Sequence, residues 1–118
     1  MLDNPEYLAD VFAALDTENR LRAFEGLVMG KSPVDIAEEL GVDRSTIQPY
    51  IDDFRELDWI MNSGHDYSVT ANGNAVWDVV SALDQSHSDY EELQGFLREN
   101  PGVVPEEVLG ELRGDHKD

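Results

Sequence analysis

Apolar residues recur along most of this chain with the period of a helix, and one short stretch alternates instead. Leu8, Val11, Phe12 and Leu15 share one helical face. Asn4-Pro5-Glu6 stands ahead of them as a start signal: Asn caps free amides, Pro suits the first helical position, and Glu faces the positive end of the dipole. A first helix is expected over about 5 to 15. Thr17-Glu18-Asn19-Arg20 restarts a helix whose stripe is Leu21, Phe24, Leu27 and Val28, with Gly30 as its left-handed stop. Ser32-Pro33-Val34-Asp35 opens a third, short helix, in which Ile36, Ala37 and Leu40 face inward, Gly41 ends it and Val42 plugs the turn. Asp43 or Ser45 caps a fourth helix running to about Leu57, with Ile47, Ile51, Phe54 and Leu57 as the inner stripe and Arg44, Ser45, Gln48, Asp52 and Arg55 on the opposite, polar face.

The period then changes. Trp59-Ile60-Met61 is a short apolar run, Asn62 to Asp66 is rich in turn formers, and Tyr67 to Thr70 alternates, which together predict a small β-hairpin. A longer helix follows from Ala71, capped by Thr70 or Asn72, with Val76, Trp77, Val80 and Leu83 on one face. The stripe continues through Tyr90, Leu93 and Leu97, with Ser86-His87-Ser88 as a point where the helix loosens. Pro101-Gly102 breaks the chain, Pro105 to Leu112 offers one more short helix, and a frayed tail begins at Gly114. The expected fold class is mainly α with a small β-hairpin. Its expected organisation is a first domain over 1–83 and a helical extension with an acidic tail over 84–118.

Composition sharpens this picture. The chain has 118 residues, of which 41% are hydrophobic and 8% aromatic, enough for one packed domain. Eight Lys plus Arg against 26 Asp plus Glu leave a formal charge of −18. Only two of the basic residues are lysines, Lys31 and Lys117, and the acids are spread along the whole chain. Such a charge repels itself in dilute salt, but at molar salt the Debye length falls to ~3 Å and the repulsion is screened. The composition therefore reads as that of a halophile's protein, with K+ or other salt cations bound or condensed around it. An acidic protein of an ordinary cell would concentrate its acids in a tail. With no cysteine, disulfides, thiolate metal sites and thiol nucleophiles are excluded. No apolar run approaches the ~20 residues of a membrane span, and no leader pattern follows Met1, so a soluble, cytoplasmic protein is expected.

Two short helices joined by a turn containing Gly41 have the helix-turn-helix layout, and the hairpin and helix after them complete a winged version. Three stretches carry a family resemblance. Leu15 to Arg22 is similar to the L-x-x-x-x-R-L-R pattern that opens a second helix, Val34 to Leu57 (VDIAEELGVDRSTIQPYIDDFREL) to the helix-turn-helix, and Tyr67 to Gly73 to the Y-x-L-T-x-x-G that follows a wing. Together they cover roughly residues 10 to 83, and in this combination the chain resembles the winged helix-turn-helix transcription regulators of the archaeal and bacterial ArsR, MarR and PadR type. In size and layout it is also similar to the small haloarchaeal regulators of the RosR oxidative-stress type.

The resemblance implies a homodimeric regulator that binds duplex DNA at a pseudo-palindromic site. Arg44, Ser45, Thr46, Gln48, Pro49 and Tyr50 are then the residues expected at base edges, where Arg forks onto guanine, Gln pairs with adenine, and Thr or Pro touches a thymine methyl. Arg22, Lys31, Ser32 and Arg55 are the expected phosphate contacts. His65 at the hairpin tip is either a backbone or minor-groove contact or a solvated turn histidine. Five of the eight basic residues, Arg20, Arg22, Lys31, Arg44 and Arg55, lie between positions 20 and 55, yet Asp43, Asp52 and Asp53 lie there too and prevent an ordinary basic patch. Leu8, Phe12, Leu93, Phe96, Leu97, Val104 and Leu109 exceed what a winged core can bury and are expected to hold the dimer together.

Two features depart from the family. Pro49 falls where those regulators carry a polar residue, so the fourth helix is expected to kink there or to begin late. The ligands of the metal-sensing members are missing. Asp84, His87 and Glu91 share a helical face but read as solvated surface, so no metal and no cofactor is expected. His65, His87 and His116 have no nucleophile spacing beside them and there is no glycine-rich phosphate loop, which argues against an enzyme. The competing reading is an acidic winged-helix module that docks on other proteins without touching DNA.

Overall fold

A computed structural model describes residues 1–100 of the chain. Five helices and one hairpin follow in order: α1 (Pro5–Ala14), α2 (Glu18–Val28), α3 (Pro33–Leu40), α4 (Arg44–Glu56), β1 (Ile60–Ser63), β2 (Asp66–Val69) and α5 (Ala71–Glu99). The fold is mostly α with a two-stranded antiparallel wing, as expected. It divides into a unit of Met1–Asp78 and a second unit that begins at Val79. The expected break at Pro101-Gly102, the helix from Pro105, and Val104, Leu109 and His116 lie outside the described residues.

Local chemistry sets the helix ends. The Thr17 hydroxyl accepts from the Arg20 N–H (3.1 Å) and the Ser32 hydroxyl from the Asp35 N–H (3.2 Å), so α2 and α3 start where a side chain takes up a free amide. Asn4 and Asp43 occupy the same position ahead of α1 and α4 but make no such side-chain bond. Helices α2, α3 and α4 all end in the same pair of backbone bonds. In α4 the Trp59 N–H donates to the Phe54 carbonyl (2.9 Å) and the Asp58 N–H to that of Arg55 (3.0 Å), closing a Schellman turn. The left-handed position of this turn falls to Gly30 after α2 and Gly41 after α3, but to Asp58 after α4, at φ +63°. Asp is one of the few side chains that tolerate that region.

The core of the first unit is aromatic. Phe24 of α2 sits 5.2 Å from Phe54 of α4 and 5.1 Å from Trp59, measured between ring centroids, and Trp77 of α5 meets Phe24 edge-on at 6.0 Å. Leu27, Ile36, Ile47, Ile51 and Ile60 pack around these rings with Ala14, Ala23 and Ala37, all buried. The inner stripe of α4 is therefore the one its periodicity predicts. Trp59 also donates its Nε1–H to the Tyr7 hydroxyl of α1 at 3.4 Å, a long bond.

The hairpin is tighter than its sequence suggested. Asn62, Ser63 and Asp66 belong to the strands, with Ser63 paired to Asp66, so only Gly64-His65 forms the loop. Gly64 takes φ +65°, the sign that the first central residue of a type II′ hairpin turn requires. Helix α5 runs without interruption through Ser86-His87-Ser88, where the Ser88 hydroxyl donates back to the Asp84 carbonyl (3.3 Å) and does not break the ladder. The loosening expected there does not occur.

Candidate nucleic-acid interface

Helix α4 carries two faces with opposite chemistry. Ile47, Ile51 and Phe54 are fully buried, while Arg44, Ser45, Thr46, Pro49, Asp52 and Arg55 are exposed and Gln48 is half-buried. The helix starts at Arg44, so it does not begin late. Pro49 lies inside it and has no N–H to give the Ser45 carbonyl. The first turn thus presents Arg44, Ser45 and Thr46 to solvent directly after the Gly41 turn. Arg44 makes no hydrogen bond or ion pair with any described residue.

The other basic residues of this region are engaged. Arg20 donates to Asp53 at 2.9 Å and to the Ala14 carbonyl at 3.3 Å, approaches Asp16 at 3.8 Å, and lies over the Tyr50 ring at 4.7 Å from its centroid. It is thereby a brace between α2 and α4, and Tyr50 is half-buried beneath it. Asp53 turns to Arg20, so it does not share the solvent face of Asp52. Arg22 pairs with Glu25 at 3.0 Å, and the Lys31 ammonium meets both Glu39 oxygens at 2.9 Å. The Ser32 hydroxyl caps α3 as an acceptor, and its own O–H is not engaged by that bond. The Asp52 Oδ1 accepts from Gln48 Nε2 and from Arg55 Nη2, both at 3.0 Å. Pairs at this spacing on an exposed helix contribute only about 0.2–0.5 kcal/mol each, so they do not lock the side chains.

The Gln48-Asp52-Arg55 cluster is present in the sequence as an i, i+4, i+7 spacing, and reading Asp52 only as a repulsive charge missed it. The Arg20-Asp53-Tyr50 brace joins two helices and has no local signal. His65 is exposed at the wing tip.

The stretch after the wing has a structural role. The Thr70 hydroxyl donates to the Asp58 carbonyl (2.6 Å) and accepts from the Gly73 N–H (3.0 Å), capping α5. Asn72 donates its amide to the Leu57 carbonyl at 3.2 Å. A Cβ on Gly73 would come within 2.2 Å of the Trp59 carbonyl oxygen, so only glycine fits there. Thr70, Asn72 and Gly73 together tie the end of α4 to the start of α5 and fix the base of the wing.

Two clefts of about 320 Å³ each flank these helices. One, between α1 and α4, is lined by Asp10, Ala13, Ala14, Asp53, Glu56 and Leu57, and the other includes Arg22, Glu25, Lys31 and Glu39. Among the described residues no group of three or more His, Cys, Asp or Glu is arranged to hold a metal ion, and His87 pairs with Glu91 at 3.2 Å on an open surface. No described helix is long and apolar enough to cross a membrane.

This arrangement, a helix-turn-helix braced against a wing, is a winged-helix fold, and the solved structures it resembles share it. The structure of NolR from Sinorhizobium fredii superposes with a TM-score of 0.57 at 18% identity, covering 70% of this chain and 86% of that one. The structure of an ArsR family transcriptional regulator gives a TM-score of 0.51 at 18% identity, covering 75% of this chain and 97% of that one. No curated protein matches the sequence. Residues 8–89 match the family described as the HVO_A0261 N-terminal domain, and the chain belongs to that family.

Proposed function

We propose that the protein is a sequence-specific DNA-binding transcription regulator that acts as a homodimer in a high-salt cytoplasm and reads the major groove with α4. The observation that carries this reading is the outer face of α4, where an unpaired Arg44 and the amide of Gln48 stand beside Ser45 and Thr46 at the start of the second helix of a helix-turn-helix. The fold shared with an ArsR family transcriptional regulator supports the same assignment. Arg44 and Gln48 are the base readers. Arg22, Lys31, Arg55 and His65 are backbone contacts, the first three only after leaving their carboxylate partners.

The dimer is proposed to form through α1 and the chain beyond residue 83. Phe12 (67% exposed) in the first unit and Phe96 (43%) in the second support it, as do Leu83 (66%) just ahead of that segment and the half-buried Leu8, Leu93 and Leu97. Two-fold symmetry sets the two copies of α4 about one DNA turn, ~34 Å, apart or a multiple of it, and makes the site pseudo-palindromic. The high-salt, archaeal setting rests on the charge of −18 and the scarcity of lysine.

Salt is where the proposal differs from an ordinary DNA binder. Such proteins lose affinity with a slope of about −0.9 per phosphate neutralised, because condensed cations are released. Here Arg20, Arg22, Lys31 and Arg55 are already paired with acids, and Asp43 and Asp52 approach the backbone, so cations are retained between carboxylate and phosphate. Affinity for a selected duplex should hold or rise between about half-molar and multi-molar KCl. A mobility-shift titration across that range, with circular dichroism checking the fold at each point, tests it. A steep fall in affinity with the fold intact contradicts the cation account. The same pairing of the basic residues favours the competing protein-docking reading, and absence of any shift at molar KCl would contradict DNA binding.

A further inference from the structure

Asp52 is an acid on the very face that is proposed to meet a polyanion, and its oxygen is occupied. One atom, Oδ1, accepts from Gln48 Nε2 and Arg55 Nη2, each at 3.0 Å. Only the nitrogen of the Gln48 amide can donate to a carboxylate, so this contact favours the orientation in which Nε2 faces Asp52 and Oε1 turns away from it. One N–H is committed to Asp52, and the amide keeps a second N–H and its oxygen. A donor and acceptor side by side are what the N7 and N6 edge of adenine takes. Without Asp52 the amide can turn over and present the pair in reverse order. The same oxygen draws the Arg55 guanidinium back along the helix, away from a phosphate.

We infer that Asp52 is a positioning residue for DNA reading: it orients Gln48 toward adenine and restrains Arg55, so that α4 gains base preference while its affinity for random DNA stays low. This rests on the DNA-binding reading above. The carboxylate does not touch a base. It acts through the two side chains it holds, at i−4 and i+3 on the same helical face.

The test is selection of duplexes from a randomised library at molar KCl by the wild type, Asp52→Ala, Asp52→Asn and Gln48→Ala, each checked for helix content by circular dichroism. The wild type should enrich a motif with an A·T pair at one position per half-site. Asp52→Ala should lose preference at that position by about twofold, keep the guanine position read by Arg44, and bind random duplex about twofold more tightly. Asp52→Asn offers the Gln48 amide a donor as well as an acceptor and loses the charge that holds Arg55, so it should lose part of the adenine preference while still tightening on random duplex. Adding Asp52→Ala to Gln48→Ala should change the motif no further. An unchanged motif in Asp52→Ala overturns the inference, as does an equal loss at every position, which would mean that the substitution merely damages α4. If the wild type enriches no motif, the DNA-binding proposal itself fails, and this inference with it.

Discussion

Helices α4 and α5 carry the same kind of signal in the sequence and meet different fates in the structure. Both have an apolar stripe at helical spacing. In α4 the stripe of Ile47, Ile51 and Phe54 is wholly covered, against Phe24 and Trp59 among others. In α5 the stripe is only half-buried at Val76, Trp77, Val80, Leu93 and Leu97 and is exposed at Leu83 (66%) and Tyr90 (52%), and Val79 and Phe96 next to it are exposed too. Periodicity announces that a face is apolar, not what lies on it. For α4 the cover is the chain's own core. For the length of α5 beyond residue 78, a second copy of the chain is the proposed cover.

The contrast can be broken at its strongest point first. Trp59→Ala removes the largest fully buried side chain and should cost about 3–5 kcal/mol, because ring contacts are lost and a cavity is left. Urea denaturation in concentrated KCl would read this as a large fall in midpoint. Gly73→Ala is the next largest. Its Cβ meets a backbone carbonyl that cannot rotate aside, so a cost of about 1–3 kcal/mol is expected by the same measurement, with loss of the wing's fixed base. Leu83→Glu sharpens the other side of the comparison. It should leave urea stability of the monomer within about 0.5 kcal/mol, as exposed substitutions do, while weakening self-association by at least about 1–2 kcal/mol. Light scattering should show the mass falling from dimer toward monomer with helix content unchanged.

Much of the fold was legible because its causes are local. Thr17 and Ser32 act as caps, Gly30 and Gly41 end helices, and the inner stripe of α4 is where its spacing puts it. The errors were local too: turn formers at Asn62, Ser63 and Asp66 were pulled into strands by pairing across the hairpin, and the two serines around His87 were tolerated by an exposed helix. Trp59 looked like the edge of a strand, and only the approach of Phe24 and Phe54 makes it a centre of the core. On the candidate interface, residue types and positions were readable but partners were not. Arg20 resembles any other basic residue between 20 and 55 until Asp53 and Tyr50 are brought against it, which leaves it bracing two helices. Lys31 and Arg22 are likewise held by acids of α3 and α2.

Arg44 alone among the basic residues of that region stands free of such pairing, and on it the account depends most. The direct measurement is the affinity of wild type and Arg44→Ala for a selected duplex and for random duplex at molar KCl. Loss of a bidentate guanine contact predicts a cost of about 1–3 kcal/mol on the selected duplex and much less on the random one. An equal loss on both would show that Arg44 grips phosphate and that α4 does not read sequence through it.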